Sequence, residues 1–195
     1  MAELPPDAIH PRTRAEWRAW LAANGRREHG VWVVRYTKAA GRPTLRVRDI
    51  VEEALCAGWI DSLPRALDAE RTMLYVAPRK AGSGWSRLNK TYVAALTEAG
   101  HMTPAGQATV DAARADGSWN ALDAVERLEV PADLAAAFAA YPGAAARWDA
   151  FPRSAKRGIL EWIHTAKRAA TRQRRVDETA RLAQQNERAN QWPRR

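Results

Sequence analysis

Apolar residues recur along this 195-residue chain with two different periods, and the change from one to the other organises it. Thr13 stands before Glu16, Trp17, Trp20 and Leu21, the three- and four-residue spacing of one helical face, with Asn24-Gly25 to end it. Val31 to Thr37 (Val-Trp-Val-Val-Arg-Tyr-Thr) is instead dense in β-branched and aromatic residues and predicts a strand, closed by Gly41 and Pro43. Asp49 is placed to cap a second helix with Ile50, Ala54 and Leu55 on its apolar face and Gly58 as its stop. Glu52 and Glu53 then fall in its first turn, where they complement the helix dipole. Trp59-Ile60 and Arg71 to Ala77 predict two further strands, and the residues before about Pro11 read as a loose start.

From Ser86 onward the period is helical. Leu88, Tyr92 and Leu96 recur every four residues, with Ser83 or Ser86 as the cap and Gly100 as the stop. Thr103-Pro104 begins the next helix, because proline suits the first helical turn, and Gly117 ends it. Beyond Trp119 the pattern predicts a loop containing Glu129 to Pro131, then Ala-rich helices over 132–140 and 144–150. Ser154 is placed to cap a helix carrying Ile159, Leu160, Trp162 and Ile163, and Thr171 one carrying Val176, Ala180 and Ala183. The tail frays after about Glu187. These elements predict an α+β fold: a small antiparallel sheet in the N-terminal half packed by helices, and an all-helical C-terminal half. The expected division is 1–125 and 126–195, with no internal repeat.

Composition narrows the class. Hydrophobic residues at 46% and charged residues at 27% are those of a folding globular chain. A formal net charge of +9 attracts polyanions such as nucleic acid, anionic lipid or acidic proteins, without choosing among them. The single cysteine, Cys56, excludes an intramolecular disulfide and reads as a small core residue beside Leu55 and Ala57. His10, His29, His101 and His164 are scattered without ligand spacing, so neither a metal nor a cofactor is expected. The start, Met1 to Asp7, has no basic and apolar leader pattern, and no run reaches the roughly 18 apolar residues of a membrane span. The expectation is a cytoplasmic protein, of an oligomeric state the pattern does not specify.

Candidate chemistry concentrates between Gly58 and Asn89. Asp61, Ser62, Arg79, Lys80, Ser83, Trp85, Ser86 and Asn89 combine a carboxylate, two cations, an indole and four polar groups near a predicted helix start. Arg79 and Lys80 can present fixed charge to an anion, Trp59 and Trp85 can wall the space, and Ser83, Ser86 and Asn89 add directional donors. The outcome would be a cationic, aromatic-walled pocket for an anionic small molecule or an acidic protein surface. The same residues would equally serve as a latch, with Asp61 paired to Arg79, Ser86 a helix cap and both indoles in the core. Ser83 and Ser86 have no histidine near in sequence to act as a base, which favours binding over catalysis. An enzyme acting on an acidic or phosphorylated metabolite remains a third reading.

The run Glu53 to Ser62 (Glu-Ala-Leu-Cys-Ala-Gly-Trp-Ile-Asp-Ser), then Pro78-Arg79-Lys80, Ser83, Trp85-Ser86, Asn89, Gly100-His101-Met102 and Gly106 resembles the bacterial YdeI/OmpD-associated family. Ser154, Ile163, Ala166-Lys167-Arg168, Thr171-Arg172 and Arg175 resemble its helical C-terminal segment, so the likeness runs from about Trp32 to Leu182. Ala57 departs from it, standing where a bulkier aromatic often precedes Gly-Trp-Ile-Asp-Ser. The resemblance implies a link with protection against bacteriocins or cationic antimicrobial peptides, and a membrane-protein partner such as a porin. It implies no catalytic residues.

A second constellation is basic. Lys167, Arg168, Arg172, Arg174 and Arg175 flank the turn at Ala169-Ala170-Thr171, an arrangement suited to phosphate contact by a helix pair and hence to nucleic acid. Their three- and four-residue spacing also fits a solvated face or one paired with acidic neighbours.

Overall fold

A computed structural model describes residues 3–191, so Met1-Ala2 of the N-terminal stretch and residues 192–195 of the expected frayed tail lie outside the described residues. The chain divides into two compact units, Met1–Asn120 and Ala121–Arg195. The first contains β1 (Ala8–Ile9), α1 (Arg14–Ala23), β2 (Val31–Tyr36), α2 (Val47–Cys56), β3 (Trp59–Ala66), β4 (Arg71–Pro78), α3 (Arg87–Glu98) and α4 (Pro104–Ala115). Its sheet has the order β1-β2-β4-β3, antiparallel between β2, β4 and β3. The expected loose start instead supplies β1, which pairs in parallel with β2 through Ala8–Trp32 and Ile9–Val33.

Alternation along the strands turns Val31, Val33, Trp59, Leu74 and Val76 onto a core shared with Trp17, Ile50, Leu55, Trp85 and Val93. Each large side chain taken from water there contributes about 1.5–3 kcal/mol. Polar atoms carried inside are satisfied locally, as where Trp17 Nε1 donates to Ile50 O at 3.1 Å. β3 is longer than the expected Trp59-Ile60 pair, with an irregular register between Asp61 and Pro64.

Three helix starts follow the expected chemistry: the hydroxyls of Thr13, Ser86 and Thr103 each accept the backbone N–H three residues on at 3.2 Å. α2 does not. It begins at Val47, and Asp49 is its third residue, reaching back to accept the Arg46 backbone N–H at 3.1 Å and its guanidinium at 2.8 and 2.9 Å. Glu52 and Glu53 are therefore beyond the first turn, and their side chains point inward rather than to the helix end. Arg14 Nε donates to Glu53 at 2.8 Å and its Nη1 to Glu52 at 2.9 Å. Arg18 forks onto both Glu53 oxygens at 2.7 Å. With 2% of the Glu53 side chain exposed, these charge-assisted bonds are what make its burial tolerable. In α3 the expected stripe also shifts: Leu88 is 58% exposed, while Val93 and Leu96 are buried. A strict four-residue repeat drifts around a helix of 3.6 residues per turn, so its first member leaves the core face.

Two glycines set the contact between α2 and α4. Gly58 has φ +79°, the left-handed conformation that lets the chain leave α2 and enter β3 at once. A Cβ on Gly106 would stand 2.2 Å from Cys56 O, so only glycine admits α4 this close. That same carbonyl accepts both the Thr103 hydroxyl, at 2.6 Å, and the Thr103 N–H, at 3.1 Å.

The second unit is helical: α5 (Asp123–Glu126), α6 (Ala132–Ala139), α7 (Ala144–Asp149), α8 (Arg153–His164) and α9 (Ala169–Gln184). Leu134, Phe138, Trp148, Ile159, Ile163, Val176 and Ala180 form its core. α8 and α9 begin ahead of Ser154 and Thr171, which lie inside the first turns; Pro152 and Arg168 hold the cap positions. Its cations close helix ends. Arg147 donates to Gln184 O, Arg153 to Glu126 O, Lys156 to Asp149 O and Arg175 to Trp162 O. Each of these carbonyls lies in the last turn of its helix, where partial negative charge gathers. Ala189 is buried, so the expected fraying does not begin directly after Glu187.

Candidate functional site

Arg79 follows the end of β4, and its backbone N–H donates to Gly58 O at 3.0 Å, drawing the next loop against the turn between α2 and β3. Its guanidinium lies over the Trp85 indole, 3.5 Å from the ring centroid. Nη2 donates to Gly84 O at 2.6 Å and to Ser83 O at 3.4 Å, closing the loop on itself, and the Ser83 hydroxyl donates to Lys80 O at 2.6 Å. Behind Trp85 stands Trp119, with centroids 4.9 Å apart. Lys90 and Arg114 lie over Trp119 at 5.3 and 5.2 Å.

Between this loop, α4 and the turn after it opens a cavity of about 220 Å³. Arg79, Ser83, Trp85, Thr109, Asp116 and Ser118 line it, with Lys80 at an exposed position and Ala112-Ala113 as apolar wall. Among the described residues, seven buried side-chain polar atoms have no hydrogen-bond partner. Four of them are Arg79 Nε, Arg79 Nη1, Trp85 Nε1 and Ser118 Oγ. All three residues line this one cavity. Buried polar atoms without partners each cost about 1–3 kcal/mol, more where charged, so their concentration in three residues that line one cavity makes that cavity the candidate site.

Electrostatics agree. Burial pushes the Arg79 pKa down to about 10, partly offset by the negative charge of Asp61, so the guanidinium stays charged at neutral pH. Burial raises the Asp61 carboxyl above its ordinary value, against the pull of its own backbone N–H and of Arg79. Among the described residues Arg79 forms no ion pair, with Asp61 or any other carboxylate. The Ser118 hydroxyl lies beside Asp116 without a well-formed hydrogen bond. That hydroxyl, with the backbone N–H groups of Ser118 and Gly82, draws the Asp116 pKa below its ordinary value. Asp116 is ionised at the cavity wall.

Of the eight residues singled out by sequence, Arg79, Lys80, Ser83 and Trp85 line the cavity. Asp61 and Ser62 lie on β3, Asp61 opposite Val76 in the ladder and Ser62 exposed. Ser86 is the N-cap of α3 and Asn89 supplies the N–H it accepts. These four do not line the cavity. Thr109, Asp116, Ser118 and Trp119 do line or back it, and sequence reading passed over them. The only local hint was the small polar run Asp-Gly-Ser before Trp119, read there as a helix stop.

A second cavity in the first unit, about 400 Å³, is walled by Leu21, Ala22, Ala57 and Pro104, with Arg18 and Glu53 at its edge. Cys56 also lines it, a buried thiol whose pKa is pushed up to about 11 by desolvation, which keeps it protonated and unreactive. In the second unit, Arg172 forks onto Asp133 at 2.6 and 3.0 Å. Arg175 stacks on Trp162 at 4.9 Å and donates to its carbonyl. Lys167, Arg168 and Arg174 are exposed. The expected phosphate-facing row thus contributes two of its five cations to internal contacts. Among the described residues no group of three His, Cys, Asp or Glu could hold a metal ion, and no helix is long and apolar enough to cross a membrane.

A family model described as a domain of unknown function, DUF8412, matches residues 9–109. A second, described as bacteriocin-protection, YdeI or OmpD-associated, matches residues 127–186. The second covers the segment carrying Ser154, Ile163, Lys167, Arg172 and Arg175; the first covers the Gly-Trp-Ile-Asp-Ser and Pro-Arg-Lys blocks. Asp116, Ser118 and Trp119 fall between the two matches. No curated protein and no solved structure matches the chain.

Proposed function

This chain belongs to the DUF8412 family and continues into a YdeI/OmpD-associated segment, and we propose that its first unit is a binding module for a small anionic ligand. The observation that carries the reading is the set of buried, unpartnered donors on Arg79, Trp85 and Ser118 around one cavity. A carboxylate or comparable acceptor group entering there meets a guanidinium that is charged at neutral pH, whose face is fixed on Trp85 and whose Nη2 is held by carbonyls. Little side-chain entropy is then lost on binding, the advantage of a preorganised site. The role is recognition rather than turnover. The bacteriocin-protection description of the second match supplies the setting: a stress-protection protein that responds to a small metabolite.

The test is a thermal-shift titration of the whole chain with acetate, sulfate and phosphate at constant ionic strength. Saturable stabilisation is expected, growing as RT ln(1 + [L]/Kd), and lost in Arg79→Gln and weakened in Trp85→Phe, which removes the indole N–H. If Arg79→Gln responds to every anion as the wild type does, or the wild type responds to none, the cavity is not an anion site.

A further inference from the structure

The anion-binding cavity is not uniformly cationic, and its one carboxylate has consequences for what it admits. Asp116 shares the cavity with Arg79, Trp85 and Ser118. Its oxygens accept the Ser118 backbone N–H at 2.8 Å and are drawn toward the Gly82 N–H, which holds the group at the wall in its ionised form. The apolar stretch of Ala108, Ala112 and Ala113 belongs to the same lining. A ligand that places an anionic group on the Arg79 and Trp85 donors therefore lies within the same small space as a fixed negative charge. At about 220 Å³ that space is below the size of drug-like pockets, so a short ligand fills it and a longer one would extend through its open side.

We propose that the cavity selects a short zwitterion, a molecule with a carboxylate at Arg79 and Trp85, a few methylene groups along the alanine wall and an ammonium at Asp116. Asp116 is then the specificity-determining residue. It attracts the ammonium and repels a second negative charge, so it raises affinity for amino acids while disfavouring dicarboxylates and phosphate esters. Lys80 and Asp116 are both exposed at this cavity, but Asp116 is held in place by the Ser118 N–H whereas Lys80 carries its charge on a long flexible stem, so the carboxylate is the better positioned of the two. This inference rests on the anion-binding reading above and adds to it the requirement for a cationic end.

The experiment is isothermal titration of the full chain with propionate, β-alanine, γ-aminobutyrate, succinate and propylamine, each at the same ionic strength. β-Alanine or γ-aminobutyrate is expected to bind at least about tenfold more tightly than propionate, the equivalent of about 1.4 kcal/mol. Succinate and propylamine are expected to be the weakest. Asp116→Asn keeps an oxygen for the Ser118 N–H but removes the charge. It should abolish the zwitterion preference and improve succinate binding by about tenfold. Equal affinity for propionate and the amino acids in the wild type, or an Asp116→Asn preference unchanged, overturns the zwitterion assignment while leaving the anion site standing. No heat with any carboxylate overturns both. The wild-type series decides without any variant, and circular dichroism of Asp116→Asn verifies its fold.

Discussion

Gly106→Ala is the sharpest test of how the cavity wall is held. The added Cβ would lie 2.2 Å from Cys56 O, 2.7 Å from Cys56 C and 2.8 Å from Leu55 O, all backbone atoms at the end of α2. None can rotate away, so α4 must retreat by more than an ångström. Overpacking of this kind costs about 1–3 kcal/mol. The retreat also breaks or stretches the two bonds from Thr103 to Cys56 O, worth about 0.5–1.5 kcal/mol each. Against this stands the gain of about 0.5–1 kcal/mol for alanine over glycine in a helix. The net expectation is a loss of about 1–5 kcal/mol, or about 3–20 °C in Tm for a unit of this size. Gly158→Ala provides the opposite sign: Gly158 lies inside α8 with nothing within 4 Å of the added atom, so helix propensity alone acts. It should stabilise by about 0.5–1 kcal/mol. Differential scanning calorimetry of the two variants reads both; a Gly106→Ala protein that melts with or above the wild type would refute the close-contact reasoning.

Two further expectations concern charge. The folded pKa of Asp61 is raised, so its ionised form is disfavoured by folding; that cost is absent below its unfolded pKa, near 3.9, and sets in as pH rises toward the folded value. Asp61→Asn should therefore raise the neutral-pH Tm slightly, by roughly 0.5 kcal/mol or about 2 °C, and leave it unchanged near pH 3; a marked drop at pH 7 would mean that Arg79 depends on Asp61. Glu53 and Asp49 run the other way. For Glu53 burial raises the pKa, but Arg18 and Arg14 outweigh it and hold the group below its ordinary value. Asp49 is likewise lowered, chiefly by Arg46. Their stabilisation is present above the unfolded carboxyl pKa and fades as pH falls through the folded one. Glu53→Gln should cost about 2–3 kcal/mol at pH 7, less than the 3–5 kcal/mol of a fully buried pair, because Arg14 and Arg18 keep 36% and 62% of their side chains exposed. Urea midpoints from pH 3 to 7 should show a shallower acid slope for the variant; parallel slopes would remove this cluster from the acid response.

Much of the framework was readable because its signals are local. Thr13, Ser86 and Thr103-Pro104 start helices by bonding three residues away, and Gly58, Gly100 and Gly117 all adopt the positive φ that ends one. Where reading failed, the reason is that a polar side chain near a helix start need not be its cap. Asp49, Ser154 and Thr171 sit one to three residues inside helices whose cap positions hold Arg46, Pro152 and Arg168. The site was half legible for a similar reason. Arg79, Lys80, Ser83 and Trp85 lie on one loop and were found together, whereas Thr109, Asp116 and Ser118 reach the cavity only because α4 packs beside that loop. Their nearness is a product of tertiary folding, and a linear pattern carries no trace of it. Glu52 and Glu53 looked like dipole residues because Arg14 and Arg18, which draw them inward, are more than thirty positions away.

The clasping of helix ends in the second unit bears on how its positive charge acts. Three of the four cations that close those ends are arginines, at Arg147, Arg153 and Arg175, and only Lys156 is not. A guanidinium offers several N–H donors in one rigid plane, whereas a lysine ammonium is a compact, strongly hydrated point charge. A bundle closed this way has its helix ends held in fixed directions, and part of the positive charge that attracts polyanions is engaged with the protein's own carbonyls.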